Sequence, residues 1–170
     1  MNVSDAIKQK RAVRKFAQKA LSENEVKAIL HAGRLSQSSK NRQAWQFIAV
    51  QERDTLKKLS KCGAFAGHMK GSALGVLIVT PPPEVFYGAL FDAGQAAAYM
   101  QLAAWEMGIA SCLATLYKDQ KVREILGIPA NWQPLMAISF GYPTDKKKLT
   151  IRPLRGGRKD FDEVVRWERW

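Results

Sequence analysis

Between Phe91 and Met107 nearly every residue is apolar or small, with Ala93, Gly94, Ala96, Ala97, Ala98, Ala103 and Ala104 standing between larger apolar side chains. A helix of this composition has no polar face, so it is expected to be buried on all sides, and the rest of the chain must supply the layers that cover it. At 170 residues with 46% hydrophobic content, the chain has the usual size of one globular domain and can bury a sizeable core. No repeat, linker or low-complexity segment divides residues 1–170.

Local signals set out the remaining elements. Ser4-Asp5 opens a short amphipathic segment reaching about Lys10, and Ser22-Glu23-Asn24-Glu25 forms a capping box ahead of Val26, Ile29 and Leu30 at helical spacing. Gly33 and the polar stretch from Ser36 to Gln43 predict a loop, followed by a strand from Trp45 to Val50. A helix is expected over 54–59 and a buried strand over 74–80, which Pro81-Pro82-Pro83 ends. A turn and strand follow over 108–113, then a helix over 119–127 ending on glycine, then a strand over 136–140. The alternation predicts an α+β class with a small mixed sheet flanked by helices. The tail from Asp160 carries Phe161, Val164, Val165, Trp167 and Trp170, too much apolar surface for a free end. It is expected to dock on the body or on a partner subunit.

Charge narrows the partners. With 27 Lys and Arg against 15 Asp and Glu, the formal charge is +12 and the pI about 9.9, so the chain attracts anions. Nucleic acid, an anionic membrane surface or a phosphorylated cofactor all satisfy that charge. The basic residues are scattered along helices and concentrated at Lys146-Lys147-Lys148 and from Arg152 to Lys159, without a long aromatic-interleaved tract. Nucleic acid therefore ranks behind a small anionic ligand. Cys62 and Cys112 lack CxxC spacing, and His31 and His68 make no metal-ligand pattern with them, so no metal is expected and a reducing cytoplasm is. No basic stretch followed by an apolar run opens the chain, and no segment reaches the roughly 20 apolar residues of a membrane span, so export and membrane insertion are not expected.

Two clusters carry chemistry. Lys10-Arg11-Ala12-Val13-Arg14-Lys15-Phe16 packs cations around one apolar position, as a bound phosphate and an electron-rich ring require. Ser38-Ser39-Lys40-Asn41-Arg42-Gln43-Ala44-Trp45 joins short hydroxyl and amide side chains to an aromatic. Taken singly, the first reads equally as a solvated basic face and the second as a turn; together they suit a flavin. No Ser-His-Asp, Cys-His or paired-carboxylate arrangement is visible, which fits a protein whose cofactor carries the reaction.

These clusters, with Asp92-Ala93-Gly94, Gly108-Ile109-Ala110-Ser111 and Gly141-Tyr142-Pro143 in that order, resemble the FMN-dependent nitroreductase family over essentially the whole chain. The resemblance implies an α+β fold working as an intertwined homodimer, with FMN at the subunit interface and NADH or NADPH as electron donor. It implies ping-pong reduction of nitroaromatics, quinones or similar small acceptors. The family's phosphate and ribityl contacts fall on Lys10, Arg11 and Ala12, with Arg158 closing over the phosphate and Lys159 assisting. Arg14 falls beside the flavin N1 and C2 carbonyl, where a fixed cation offsets the negative charge of the reduced ring and raises its potential. Ser38, Ser39 and Asn41 correspond to a loop that packs on the ring from the second subunit, and the backbone N–H groups of Thr115 and Leu116 to donors at N5 and O4.

This chain departs from the pattern in having Lys10 where arginine is commoner, Ala12 where serine is commoner and Ala44 in place of a proline. Those changes imply a weaker grip on FMN and a less constrained loop. Lys40 and Arg42 stand at the expected pocket mouth, as contacts for nicotinamide-nucleotide phosphates or as ordinary loop charges. Phe65, Phe86 and Tyr87 are the candidate apolar walls, and the short segments around them leave the flavin open. Two other readings stand beside this one: a flavin-binding protein without rapid NAD(P)H turnover, and a nucleic-acid-binding module resting on Lys146 to Lys148, Arg152 and Arg155.

Overall fold

A computed structural model describes residues 3–150 and 157–170. In chain order the helices are α1 (Val3–Gln9), α2 (Glu23–Arg34), α3 (Arg53–Leu59), α4 (Gly88–Glu106), α5 (Asp119–Leu126) and α6 (Phe161–Val164). The strands are β1 (Gln46–Val50), β2 (Leu74–Thr80), β3 (Ala110–Ala114) and β4 (Gln133–Gly141). Short 3-10 turns fall at Ser39–Asn41, Ala66–Gly71 and Lys146–Leu149. Among the described residues no helix is long and apolar enough to cross a membrane.

The start signal of α2 and the stop signal of α5 hold, while α1 begins at Val3, ahead of Ser4-Asp5, and α5 begins without a side-chain cap. Ser22 caps α2 reciprocally: its hydroxyl accepts from the Glu25 N–H at 3.3 Å, and the Glu25 carboxylate accepts from the Ser22 N–H at 2.7 Å. The same carboxylate accepts from the Tyr142 hydroxyl, which ties the start of α2 to the chain leaving β4. That hydroxyl and Ser22 hold the Glu25 carboxyl below the usual carboxylate range. α5 ends on Gly127 in the left-handed conformation (φ 65°), as its glycine predicts.

The sheet order is β1-β2-β4-β3, and every neighbouring pair is antiparallel. The expectation of a mixed sheet is met only by a single parallel bridge between Ala12 and Ser111 at the outer edge of β3. The reason lies in the crossover. α4 carries the chain from β2 to β3, which do run parallel, but β4 returns between them and separates the pair.

One apolar cluster lies where α2 and α4 meet the sheet, with Ile29, Met100, Val76, Ile78 and Phe140; a second joins α3, α5, Leu77 and Ala137, and a small third holds Val13, Phe16 and Ala110. α2 approaches α4 so closely that a Cβ on Gly33 would stand 2.1 Å from Met100 Cε. α4 itself is not buried on all sides. Ala93, Ala96, Met100 and Ala104 are covered, but Phe91 (74% exposed), Gly94, Ala98 and Tyr99 form an open stripe at helical spacing. The tail does not dock on its own body either. Phe161, Val164, Trp167 and Trp170 are all exposed, and Phe161 meets Trp167 with ring centroids 6.5 Å apart. The expectation that this tail packs on its own body is not met.

Phe140 has no exposed surface and faces Leu74 across the sheet. Phe140→Ala is expected to lower the unfolding free energy by about 3–5 kcal/mol, read as a fall in the denaturant midpoint at constant m-value.

Candidate functional site

The edge position of β3 is what makes a site possible. With no fifth neighbour in the described sheet, its outer side takes the 10–14 segment: Ala12 bridges Ser111, and the Val13 N–H donates to the Ser111 carbonyl at 3.0 Å. Val13 is buried while Arg14 stays exposed, so one apolar anchor holds a row of cations against the sheet. Lys10 is half-buried and its ammonium donates to Gln101 Oε1 of α4 at 2.7 Å. Burial pushes its pKa below the ordinary lysine value. One Arg11 guanidinium N–H donates to the Lys10 carbonyl at 2.8 Å, and the rest of its fork has no partner among the described residues.

Behind this row stand groups that sequence spacing did not single out. Arg14 reaches the Cys112 thiol, whose pKa burial raises while Arg14 and Lys10 pull it down. Nδ1 of His68 and the Ser139 hydroxyl share a hydrogen bond of 2.7 Å, and burial, then the charge of Arg14, lowers the His68 pKa. His68 Nε2 and Gln101 Nε2 are buried without a hydrogen-bond partner among the described residues. Both sit on groups that face the 10–14 segment, so polar capacity is left over at this place.

At the far end of β3, Thr115 and Leu116 leave the sheet, and their N–H groups have no acceptor among the described residues. Gly63 packs directly on this turn; a Cβ there would stand 2.0 Å from the Thr115 carbonyl oxygen. The Ala64 N–H donates to the Tyr117 hydroxyl at 3.0 Å, which brings the loop bearing Phe65 (83% exposed) alongside. The 10–14 segment thus follows the outer edge of β3, and the loop bearing Phe65 meets the turn at Thr115 where that strand ends.

The second cluster forms elsewhere. The 38–43 loop is anchored on α4 by Asp92, whose carboxylate accepts from the Ser39 N–H at 3.0 Å and from the Ser39 hydroxyl at 3.2 Å. The Ser38 hydroxyl accepts from the Gln43 N–H at 3.0 Å, and Asn41 Oδ1 from the Gln43 amide at 3.1 Å. Arg42 lies 4.6 Å above the Phe86 ring, while Lys40 and Tyr87 are exposed beside them. Asp92 and Gln101 mark the two clusters on α4. Nine residues separate them, which is roughly 13 Å along the axis and half a turn around it. One chain thus presents its two clusters on opposite sides of the same helix. Arg158 and Lys159 are exposed and form no hydrogen bond or ion pair among the described residues. Arg152 and Arg155 lie outside the described residues.

Asp92 had a sequence signal, being one of only two carboxylates in the apolar run of α4, the other being Glu106 at its end. Gln101, His68 and Ser139 had none, because each meets its partner across the sheet or across more than seventy residues of chain.

A four-stranded antiparallel sheet, a long small-residue crossover helix and a cationic segment stitched to the edge strand define an α+β fold class. The Nitroreductase family model matches residues 7–71 and 73–142. The chain belongs to the nitroreductase family. It is 32% identical over 146 residues to an Archaeoglobus fulgidus protein named as an NADH dehydrogenase/NAD(P)H nitroreductase, covering 81% of this chain and 83% of that one. The structure of an FMN-dependent nitroreductase from Clostridium difficile R20291 superposes with a TM-score of 0.84 at 26% identity, covering 99% of this chain and 100% of that one. An NADPH:FMN oxidoreductase from Vibrio harveyi, at 20% identity and a TM-score of 0.87 over 98% of this chain and 77% of that one, shares the fold.

Gly63→Ala drives a methyl into a backbone carbonyl rather than into a flexible side chain, so the turn at Thr115 and Leu116 must move. The expected outcome is a folded protein of lowered thermal midpoint whose amide resonances shift most at residues 115–117. Shifts confined to residues 61–65 would show that the turn accommodates the methyl.

Proposed function

We propose that this oxidoreductase of the nitroreductase family binds FMN and uses NADH or NADPH to reduce nitroaromatics, quinones or similar small acceptors. The observation that carries the reading is the outer edge of β3, where the cations of the 10–14 segment are stitched beside Ser111 and where, past the end of the strand, the N–H groups of Thr115 and Leu116 have no acceptor among the described residues. FMN, when bound, would supply the hydride chemistry that links the nicotinamide donor to the acceptor. The chain's own residues bind, orient and polarise. Lys10 and Arg11 offer charge-assisted donors to a phosphate, and Ala12 adds its backbone alone. Arg14 supplies a fixed positive charge at the electron-rich edge of the ring, and the peptides of Thr115 and Leu116 donate to its polar atoms. Arg158 and Lys159 close over the phosphate from the C-terminal segment.

The opposed placement of the two clusters on α4 supports a homodimer in which Ser38, Ser39 and Asn41 of a second copy complete the pocket. The open stripe of α4 and the apolar tail supply surface for that contact. Lys40 and Arg42 then meet the nucleotide donor, and Phe65, Phe86 and Tyr87 wall the acceptor side. The free, buried Cys62 and Cys112 suit a reducing cytoplasm.

The test is the absorbance of purified protein between 300 and 550 nm with added FMN, followed by anaerobic titration with NADPH and NADH. A bound flavin band that bleaches rapidly supports the oxidoreductase. A band that persists with both reductants points to a flavin binder, and no binding at all removes the flavin reading in favour of a nucleic-acid module. Arg14→Ala is expected to bind FMN more weakly and to lower its potential; an unchanged potential in the folded, FMN-loaded variant removes Arg14 from its role.

The phosphate grip is pH-dependent. Because the pKa of Lys10 lies below the ordinary lysine value, raising the pH discharges its ammonium earlier than an exposed lysine and weakens its hold on phosphate. FMN affinity is expected to fall through that range in the wild type and to stay level in Lys10→Arg, which remains charged. Equal pH profiles for the two proteins would overturn this assignment.

A further inference from the structure

We infer that Asp92 is a positioning residue for cofactor binding, acting through Ser39 to hold the 38–43 loop in the shape that meets the ring. The inference rests on the reading of that loop as a cofactor wall.

Asp92 is 1% exposed, yet no ion pair neutralises it among the described residues. Burying a carboxylate in a helix of mostly small and apolar residues costs stability unless its oxygens are used. Both are used on one residue: Oδ2 accepts the Ser39 N–H and Oδ1 the Ser39 hydroxyl. The loop they hold is strained. Lys40, Asn41 and Gln43 all have positive φ, at 53°, 53° and 50°, a region that L side chains rarely occupy. Three such residues within four positions persist only where the surroundings over-determine them.

The other restraints lie within the loop or reach another loop. Ser38 bonds Gln43, Gln43 bonds Asn41, and Arg42 rests on Phe86 ahead of α4. Asp92 alone among these partners stands on the rigid helix. The start of that helix is bare where Ser39 comes in, since a Cβ on Gly88 would lie 3.1 Å from Ser39 Oγ. Ala44, which lacks the constraint a proline would impose, follows directly. In this chain the constraint comes from below, through a carboxylate, rather than from within the loop.

The chemistry separates geometry from charge. Asparagine at position 92 keeps an acceptor for the Ser39 N–H and offers an amide donor to the Ser39 oxygen, so it preserves the contacts without the charge. Alanine removes both. The experiment compares wild type, Asp92→Asn and Asp92→Ala by three readouts: thermal midpoint, FMN dissociation constant from fluorescence quenching, and the rate of tryptic cleavage after Lys40 and Arg42 in the cofactor-free protein.

Asp92→Ala is expected to be cleaved at those two bonds about tenfold faster and to bind FMN about 10- to 100-fold more weakly, the loss of hydrogen bonds to a charged group. Asp92→Asn is expected to stay within about threefold of wild type on both, because geometry and not charge sets the loop. A folded Asp92→Ala with wild-type cleavage and affinity overturns the inference, as does faster cleavage with unchanged affinity. If Asp92→Ala does not fold, Asp92→Ser, whose single short hydroxyl cannot serve both Ser39 groups, is judged by the same outcomes. If wild type itself binds no FMN, the flavin reading falls with any role in cofactor binding, while the cleavage rates still report whether Asp92 holds the loop.

Discussion

The close packing of α4 against α2 and the sheet governs where everything else can sit. Alanines at 93, 96, 97 and 104 let neighbouring backbones approach to distances that longer side chains would forbid, and Gly33 of α2 takes up the thioether of Met100. A helix clamped this tightly acts as a ruler. Asp92 near its start holds the serine loop, Gln101 near its end holds Lys10, and the rise and turn of the helix keep the two apart. The division of the candidate site into halves is thus a property of helix geometry.

Electrostatics follows from the same arrangement. A chain with a formal charge of +12 has cations to spare, but most of them stay in solvent, where they contribute little to any one contact. The 10–14 segment differs because β3 offers it an unused edge. Backbone pairing and the burial of Val13 hold its cations in a fixed row, and partial burial of Lys10 makes its charge sensitive to what binds there. Leftover hydrogen-bonding capacity at His68 and Gln101 lies on the groups that face this row.

The site was legible in the sequence where residues act near their own position. Lys10, Arg11 and Arg14 form one run and Ser38, Ser39 and Asn41 another, so the two clusters could be read as clusters before any coordinates. Their supports could not. His68 meets Ser139 at a separation of 71 residues, Ser39 meets Asp92 at 53, and Gln101 meets Lys10 at 91. The donors proposed at Thr115 and Leu116 are peptide N–H groups, which almost every residue possesses, so side-chain identity carries no sign of them. α4 misled for a related reason. Its composition shows that no face is polar, but whether a face is covered depends on what packs there, and in one chain Phe91 and Tyr99 remain open.

By itself the sequence determined what short-range interactions control: the reciprocal cap of Ser22 and Glu25, the β-branched run of β2, the glycine stop at Gly127 and the cationic composition of the 10–14 segment. Each depends on residues within one or two turns of one another, and local propensity suffices. The tertiary structure alone decided that β4 slips between β2 and β3, that β3 becomes an edge able to receive residues 10–14, and that the two clusters lie on opposite sides of α4. Those outcomes follow from how whole elements pack around one small-residue helix, a balance of buried area and chain connectivity spread over distant residues.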